Sequence, residues 1–146
     1  MYKRIVLAYD GSEPGQKVLL EGFDIAQWGK SELFLIAVMP EVLTAAFGVE
    51  AGFYHGDAED QYREQYAAVL QEGIRQISRL GIAAEGKLLV GESVSEITKF
   101  ARQIEADLIV VGHKHLDGWA ARWWRSSTSP ALIEHAHCSV LVVITQ

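Results

Sequence analysis

Very little in this sequence is available for covalent or membrane anchoring. There is one cysteine in 146 residues, Cys138, which excludes an intrachain disulfide and fits a reducing compartment. No apolar run approaches the roughly 20 residues a membrane-spanning helix needs. The N-terminus, Met1-Tyr2-Lys3-Arg4, leads into only five apolar residues, Ile5 to Tyr9, before Asp10. That is too short for a signal-peptide core, and no cleavage site follows. These features predict a cytoplasmic protein with no membrane span. Positive charge is scarce too: 13 Lys and Arg stand against 19 Asp and Glu, a net charge of -6. Binding a phosphate backbone needs a clustered positive excess, so a general nucleic-acid surface is excluded. Internal repeats, linkers and low-complexity tracts are missing. What is present, 49% hydrophobic and 22% charged residues, is enough for one folded domain spanning 1–146.

Apolar runs alternate with amphipathic stretches. Ile5-Val6-Leu7-Ala8-Tyr9 is continuous, as a strand buried on both faces requires. Asp10-Gly11-Ser12 ends it. Ser12 is placed to cap a helix, with Glu13 and Pro14 in its first turn. Val18, Leu19, Gly22, Phe23 and Ala26 share the inward face of that helix, and Gly29 is the expected C-cap. Leu33 to Met39 is the second buried run, stopped by Pro40. Residues 40–56 hold three glycines and no clear period, and read as loop. Asp57 is the expected cap of the longest helix, reaching about Leu80. Its apolar face is Tyr62, Tyr66, Val69, Leu70, Gly73, Ile77 and Leu80, and Gly81 ends it. Ala84 to Val90 is a weaker strand. Ser93-Val94-Ser95-Glu96 has the form of a capping box, opening a helix with Ile97, Phe100, Ala101 and Ile104 inward. Leu108 to Val111 is the fourth strand, ended by Gly112. Pro130 marks a short helix to His135, and Val140 to Ile144 is the fifth strand.

A helix in every strand-to-strand crossover demands parallel pairing with right-handed connections. The expected fold is therefore α/β, a doubly wound five-stranded parallel sheet in the order 3-2-1-4-5 with helices on both faces. Ligands of such sheets bind beyond the carboxyl ends of the strands, where strand order reverses. That switch point falls between strands 1 and 4, and singles out Asp10-Gly11-Ser12 and the segment after Val111.

Three segments resemble universal stress proteins: Ile5 to Ser12, Ala106 to Gly112, and Leu132 to Val143. They stand in the right order at about the right separations, and the resemblance covers essentially the whole chain. It implies a small cytoplasmic homodimer, formed through the last strand and induced under stress. Many members bind ATP or AMP without a defined reaction, and others bind no nucleotide. The nucleotide-binding members share a loop after strand 4: a glycine, two residues, a glycine, nine residues, then glycine and serine or threonine. Gly112 matches the first glycine. His115 stands at the second. Aligned back from His135-Ala136, Ser126 stands at the third and Ser127 at the hydroxyl position, with ten residues rather than nine between. Glycine serves there because backbone N–H groups must approach phosphate closely. The His115 imidazole enters that space, whereas Ser126, Ser127, Thr128 and Ser129 keep donors at a helix N-terminus. The resemblance also gives Asp10 a ribose or metal contact and puts Val38 where backbone groups meet adenine. Ala8 stands where many members have proline.

Sharper readings of single residues meet plain alternatives. Asp10 as a receiver-type phosphoacceptor is rejected: the acidic cluster and the lysine after the last strand are missing, and strand 3 ends in Val90-Gly91. The haloacid-dehalogenase type needs a second aspartate where Ser12 stands. The plain reading of Asp10 is a turn aspartate bonding its own backbone. His113 and His115, and His135 and His137, have the spacing of metal pairs without a completing ligand set, so no metal is expected. Cys138 reads as a buried small hydrophobe. Trp119, Trp123 and Trp124 lie beside Arg122 and Arg125, residue types that dominate binding hot spots. They read equally as an interaction surface, a lid, or local packing. No dinucleotide fingerprint is present. The first expectation is a non-enzymatic stress-response or regulatory dimer acting through an unidentified protein partner, with no cofactor required. The second is an ATP- or AMP-binding sensor using Asp10, Val38, Gly112, His115, Ser126, Ser127 and Ser129.

Overall fold

The structure is a computed structural model describing residues 1–40, 55–114 and 128–145, with side chains at 1–40, 59–113 and 130–145. The elements in chain order are β1 (Arg4–Ala8), α1 (Glu13–Gly29), β2 (Glu32–Met39), α2 (His55–Arg79), β3 (Ala84–Val90), α3 (Ser93–Gln103), β4 (Leu108–Lys114), α4 (Thr128–His135) and β5 (Ser139–Thr145). All neighbouring strands pair in parallel, in the order β3-β2-β1-β4-β5. The expected α/β doubly wound sheet is the fold observed.

The central strand shows why an unbroken apolar run encodes it. Ile5 and Leu7 pack into one core with Val18, Leu19, Phe23 and Ala26 of α1 and Leu70 and Ile77 of α2. Val6 points the other way, into a second core with Ile97, Phe100 and Ala101 of α3 and Leu132 of α4. A strand clothed on both faces has no position left for a polar side chain. The two layers hold the carboxyl ends of β1 and β4 side by side.

Several boundaries differ from expectation, each for a local reason. Gly29 remains helical, and Lys30 takes the left-handed conformation (φ 52°) instead. A Cβ at residue 29 would stand 2.7 Å from Ser31 Oγ, so that glycine serves close approach rather than the turn. Helix α2 begins at His55, so Asp57 lies inside its first turn, not at its cap. Most of the loop expected over 40–56 lies outside the described residues. Leu80 falls one residue past α2 and is 45% exposed rather than inward. The capping box is not used. Glu92 precedes α3, and its carboxylate accepts from the Val94 N–H at 3.0 Å and the Ser95 N–H at 2.8 Å. Gly91, at φ +143°, turns the chain so that Ser93 is already helical. Strand β4 does not stop at Gly112 but pairs with β5 as far as Lys114, Gly112 lying opposite Val143.

Candidate functional site

A cleft of about 600 Å³ opens over the carboxyl ends of the central strands. Its floor is Ala8 of β1, Ile36 and Val38 of β2, and Val111 and Gly112 of β4. Its walls come from the start of α1 (Ser12, Pro14, Gly15, Val18), from Tyr66 of α2, from Ser93 and Ile97 of α3, and from Thr145 of β5. The switch point between β1 and β4 produces this opening, because the chain leaves these two strands toward helices on opposite faces.

Asp10 stands at the mouth, just past β1, and is exposed. Its Oδ1 accepts from the Ser12 backbone N–H at 2.9 Å and from the Ser12 hydroxyl at 2.6 Å. Ser12 in turn caps α1, its Oγ accepting from the Gly15 N–H at 3.0 Å. Asp10 is therefore both the turn aspartate of the plain reading and a member of the cleft lining. Gly11, at φ +76°, makes the turn, and a Cβ there would meet Val69 of α2 at 2.7 Å.

Tyr9, immediately before Asp10, is buried with its ring against Gly73. Its hydroxyl takes a hydrogen bond from the Gln16 side-chain amide. Burial pushes its pKa above the ordinary phenol value, an effect opposed by the Gln16 bond and reinforced by the charges of Asp10 and Glu72. At neutral pH it stands in the cleft wall as the protonated phenol. At the other end of the cleft, Thr145 is buried and its hydroxyl donates to the His113 carbonyl at 3.3 Å. Lys17 donates from Nζ to the carbonyl of Ile144 at 3.0 Å, tying α1 to the end of β5.

Of the residues singled out from sequence, the structure brings Asp10, Val38 and Gly112 to one cleft. His115, Ser126, Ser127, Trp119, Trp123 and Trp124 lie outside the described residues, and Ser129 is described only as backbone within α4. Ser12, singled out with Asp10 at the switch point, also lines the cleft, and so do Tyr9, Gly15, Tyr66, Ser93 and Thr145, which the sequence did not mark as site residues. Ser12 and Ser93 were read as caps, and Tyr66 as core. Their shared signal is position: each sits at, or packs beside, the carboxyl end of a strand.

The remaining candidates do not gather. His135 and His137 are both exposed, and among the described residues no group of three His, Cys, Asp or Glu could hold a metal ion. Cys138 packs against the second core. Burial pushes its thiol above the usual range, and the Asp107 charge pushes the same way, so it is a poor nucleophile at neutral pH. Among the described residues, no helix is long and apolar enough to cross a membrane.

Comparison with known proteins agrees with this architecture. A universal stress protein of Synechocystis is 29% identical over 151 residues, covering 97% of each chain. One from Methanocaldococcus jannaschii is 28% identical over 143 residues, covering 98% of this chain and 82% of its own. Among solved structures, a universal stress protein in complex with cAMP superposes with a TM-score of 0.76 at 22% identity, covering 99% of both chains. An Archaeoglobus fulgidus universal stress protein in complex with dAMP does so with a TM-score of 0.71, also at 22% identity, covering 97% of both. At such identities the likeness to solved structures shows the fold. The model of the universal stress protein family matches residues 1–143, and the chain belongs to that family.

Proposed function

We propose that this chain is a regulatory stress-response protein that binds an adenine nucleotide in the switch-point cleft and carries out no reaction of its own. The supporting observation is the cleft. Its volume of about 600 Å³ is that of a small-molecule site. Ala8, Ile36, Val38 and Val111 offer an apolar wall suited to a flat base, and Asp10 offers an acceptor suited to a ribose hydroxyl. Two fold neighbours were solved with adenine nucleotides, cAMP and dAMP. These residues fit the nucleoside part of such a ligand. The phosphate part falls, in this reading, to the segment after Gly112, with His115, Ser126, Ser127 and Ser129. Sequence reasoning ranks a nucleotide-independent protein first; the present proposal puts the nucleotide first, with the open, Asp10-lined cleft as its support.

The absence of a reaction is part of the proposal. The described lining holds one carboxylate, Asp10, and its Oδ1 is already engaged by Ser12. Denaturing the purified protein should release adenine nucleotide, and calorimetry should show binding of AMP or ATP. Prolonged incubation with ATP should leave ATP unchanged by chromatography. No released nucleotide and no heat at millimolar concentrations would overturn the binding claim. Turnover above that of a heat-inactivated control would overturn the non-catalytic one.

The second reading, a cytoplasmic homodimer acting through protein contacts, is favoured by the sheet edges. Strand β3 exposes Glu85 and Lys87, charges that blunt an edge against pairing. Strand β5, Ser139–Thr145, carries no charged residue, and Ile144 is 49% exposed. Ile144→Lys should weaken the dimer in analytical ultracentrifugation, and Lys87→Ala should not. Equal sedimentation of both variants would remove β5 as the interface. Trp119, Trp123 and Trp124 are the proposed surface for a further protein partner.

A further inference from the structure

Hydroxyl groups line the cleft on Tyr9, Ser12, Tyr66, Ser93 and Thr145. The Ser12 hydroxyl donates to Asp10 Oδ1 at 2.6 Å, that of Thr145 donates to the His113 carbonyl at 3.3 Å, and that of Tyr9 accepts from Gln16. Among the described residues, the Ser93 hydroxyl has no hydrogen-bond partner. That oxygen is accessible, because among the described residues no buried side-chain oxygen or nitrogen lacks a partner. The placement of Ser93 is set by its neighbours. The Gly91 N–H donates to the Met39 carbonyl at 2.9 Å, which holds the turn into α3 against the end of β2. Ile97, one turn further along α3, packs in the second core with Ile36, and Val38 packs against that core. Glu92 makes the cap of α3, so the Ser93 hydroxyl is not used for it.

We infer that Ser93 is a specificity-determining residue, its hydroxyl bonding the polar substituent at C6 of a purine base seated over Ile36 and Val38. The inference rests on the reading of the cleft as an adenine-nucleotide site. Strand order gives the direction. Asp10 follows β1, Val38 lies in β2 and Ser93 follows β3, and these strands stand in the sheet as β3-β2-β1. Two strand spacings, about 10 Å, separate β1 from β3. A purine nucleoside laid across them with its ribose at Asp10 presents its six-membered ring, and so its C6 edge, to the Ser93 side. Tyr66 stands on α2 and packs against the first core, across the sheet from α3. A serine hydroxyl both donates and accepts, so it meets the 6-amino group of adenine by accepting. A purine with only hydrogen at C6 leaves that hydroxyl facing a C–H group, and the bond is lost.

Calorimetry on the full chain with AMP and with purine riboside 5′-monophosphate, which carries hydrogen at C6, tests this. The natural protein should prefer AMP by about fivefold, the effect of one neutral hydrogen bond. Ser93→Thr keeps a hydroxyl and should keep that preference. Ser93→Ala should bring the two ligands to within about twofold of each other, through weaker binding of AMP alone. The cap made by Glu92 is untouched and alanine is the better helix former, so this variant keeps α3. Its thermal midpoint without ligand, read alongside, shows that the fold is retained. A preference that survives in Ser93→Ala overturns the inference, because the C6 edge then meets another group, and leaves the nucleotide site standing. Equal affinity of the natural protein for both ligands does the same. Equal weakening of both ligands in Ser93→Ala also overturns it, since Ser93 then only shapes the cleft wall. No binding of either ligand at millimolar concentration overturns the inference together with the reading it rests on.

Discussion

Val18 of α1 stands against the backbone of Gly112 in β4: a Cβ at residue 112 would come within 2.7 Å of Val18 Cγ2. The glycine that matches the start of the nucleotide loop therefore has a packing reason of its own. It lets the first helix lie close on the sheet beside the cleft. Valine is stiff at χ1 and cannot easily turn its methyl away. Gly112→Ala should destabilise the fold by about 1–3 kcal/mol through overpacking, measured by urea unfolding. An unchanged midpoint would mean that α1 can shift outward at no cost.

Asp107 fastens the opposite end of the sheet. Its two carboxylate oxygens accept the backbone N–H groups of Lys3, at 2.8 Å, and Arg4, at 3.0 Å. It thereby ties the entry of β1 to the entry of β4. Asp107→Ala leaves both donors without this partner and should lower stability by about 1–2 kcal/mol, the lower part of the range because the site is only partly buried. Asp107→Asn, which turns an N–H₂ toward one donor, should fall between. Chemical denaturation of the three proteins orders them, and equal stability of all three would show water replacing the carboxylate.

Which parts of this were legible in the sequence follows from where each residue's constraint lies. Ile5, Val6 and Leu7 announce β1 because burial on two faces acts on every consecutive residue. The carboxyl end of β4 was not legible, because Gly112 reads as a stop along the chain. Its need for a missing side chain comes from Val18, far earlier in sequence. Ser93 looked like the cap of α3 by residue type, but Gly91 rotates the chain so that the longer Glu92 folds back onto the helix. The switch-point rule singled out Asp10, which lines the cleft. Sequence alone could not show that Ser12 works on Asp10 while it caps α1, since one hydroxyl serves both and only distances reveal it.

Cys138 offers a chemical check on the second core. Burial raises its thiol above the ordinary range, with Asp107 adding to the effect. The thiolate is the reacting form. Alkylation by iodoacetamide should therefore be slower than that of free cysteine at neutral pH, and its rate should rise at higher pH than for an exposed thiol. Unfolding in urea should remove both differences. A rate in the folded protein matching free cysteine would place Cys138 outside the core.

Glu92 predicts a pH dependence whose sign is fixed by its partners. The backbone N–H groups of Ser95 and Val94, with the Ser95 side chain, stabilise the ionised carboxylate and hold it below the usual glutamate value. A group whose folded value is depressed binds fewer protons folded than unfolded near that range. Its contribution is therefore present above the unfolded value, about 4.3, and is lost as pH falls through the lower folded value. Glu92→Gln keeps an acceptor for the N–H groups but removes the charge that favours a helix N-terminus. The natural protein should be the more stable of the two at neutral pH, with the gap closing in acid. Thermal midpoints across the acid range measure it. A gap that stays constant with pH would show that Glu92 caps α3 by shape alone, with its charge contributing nothing.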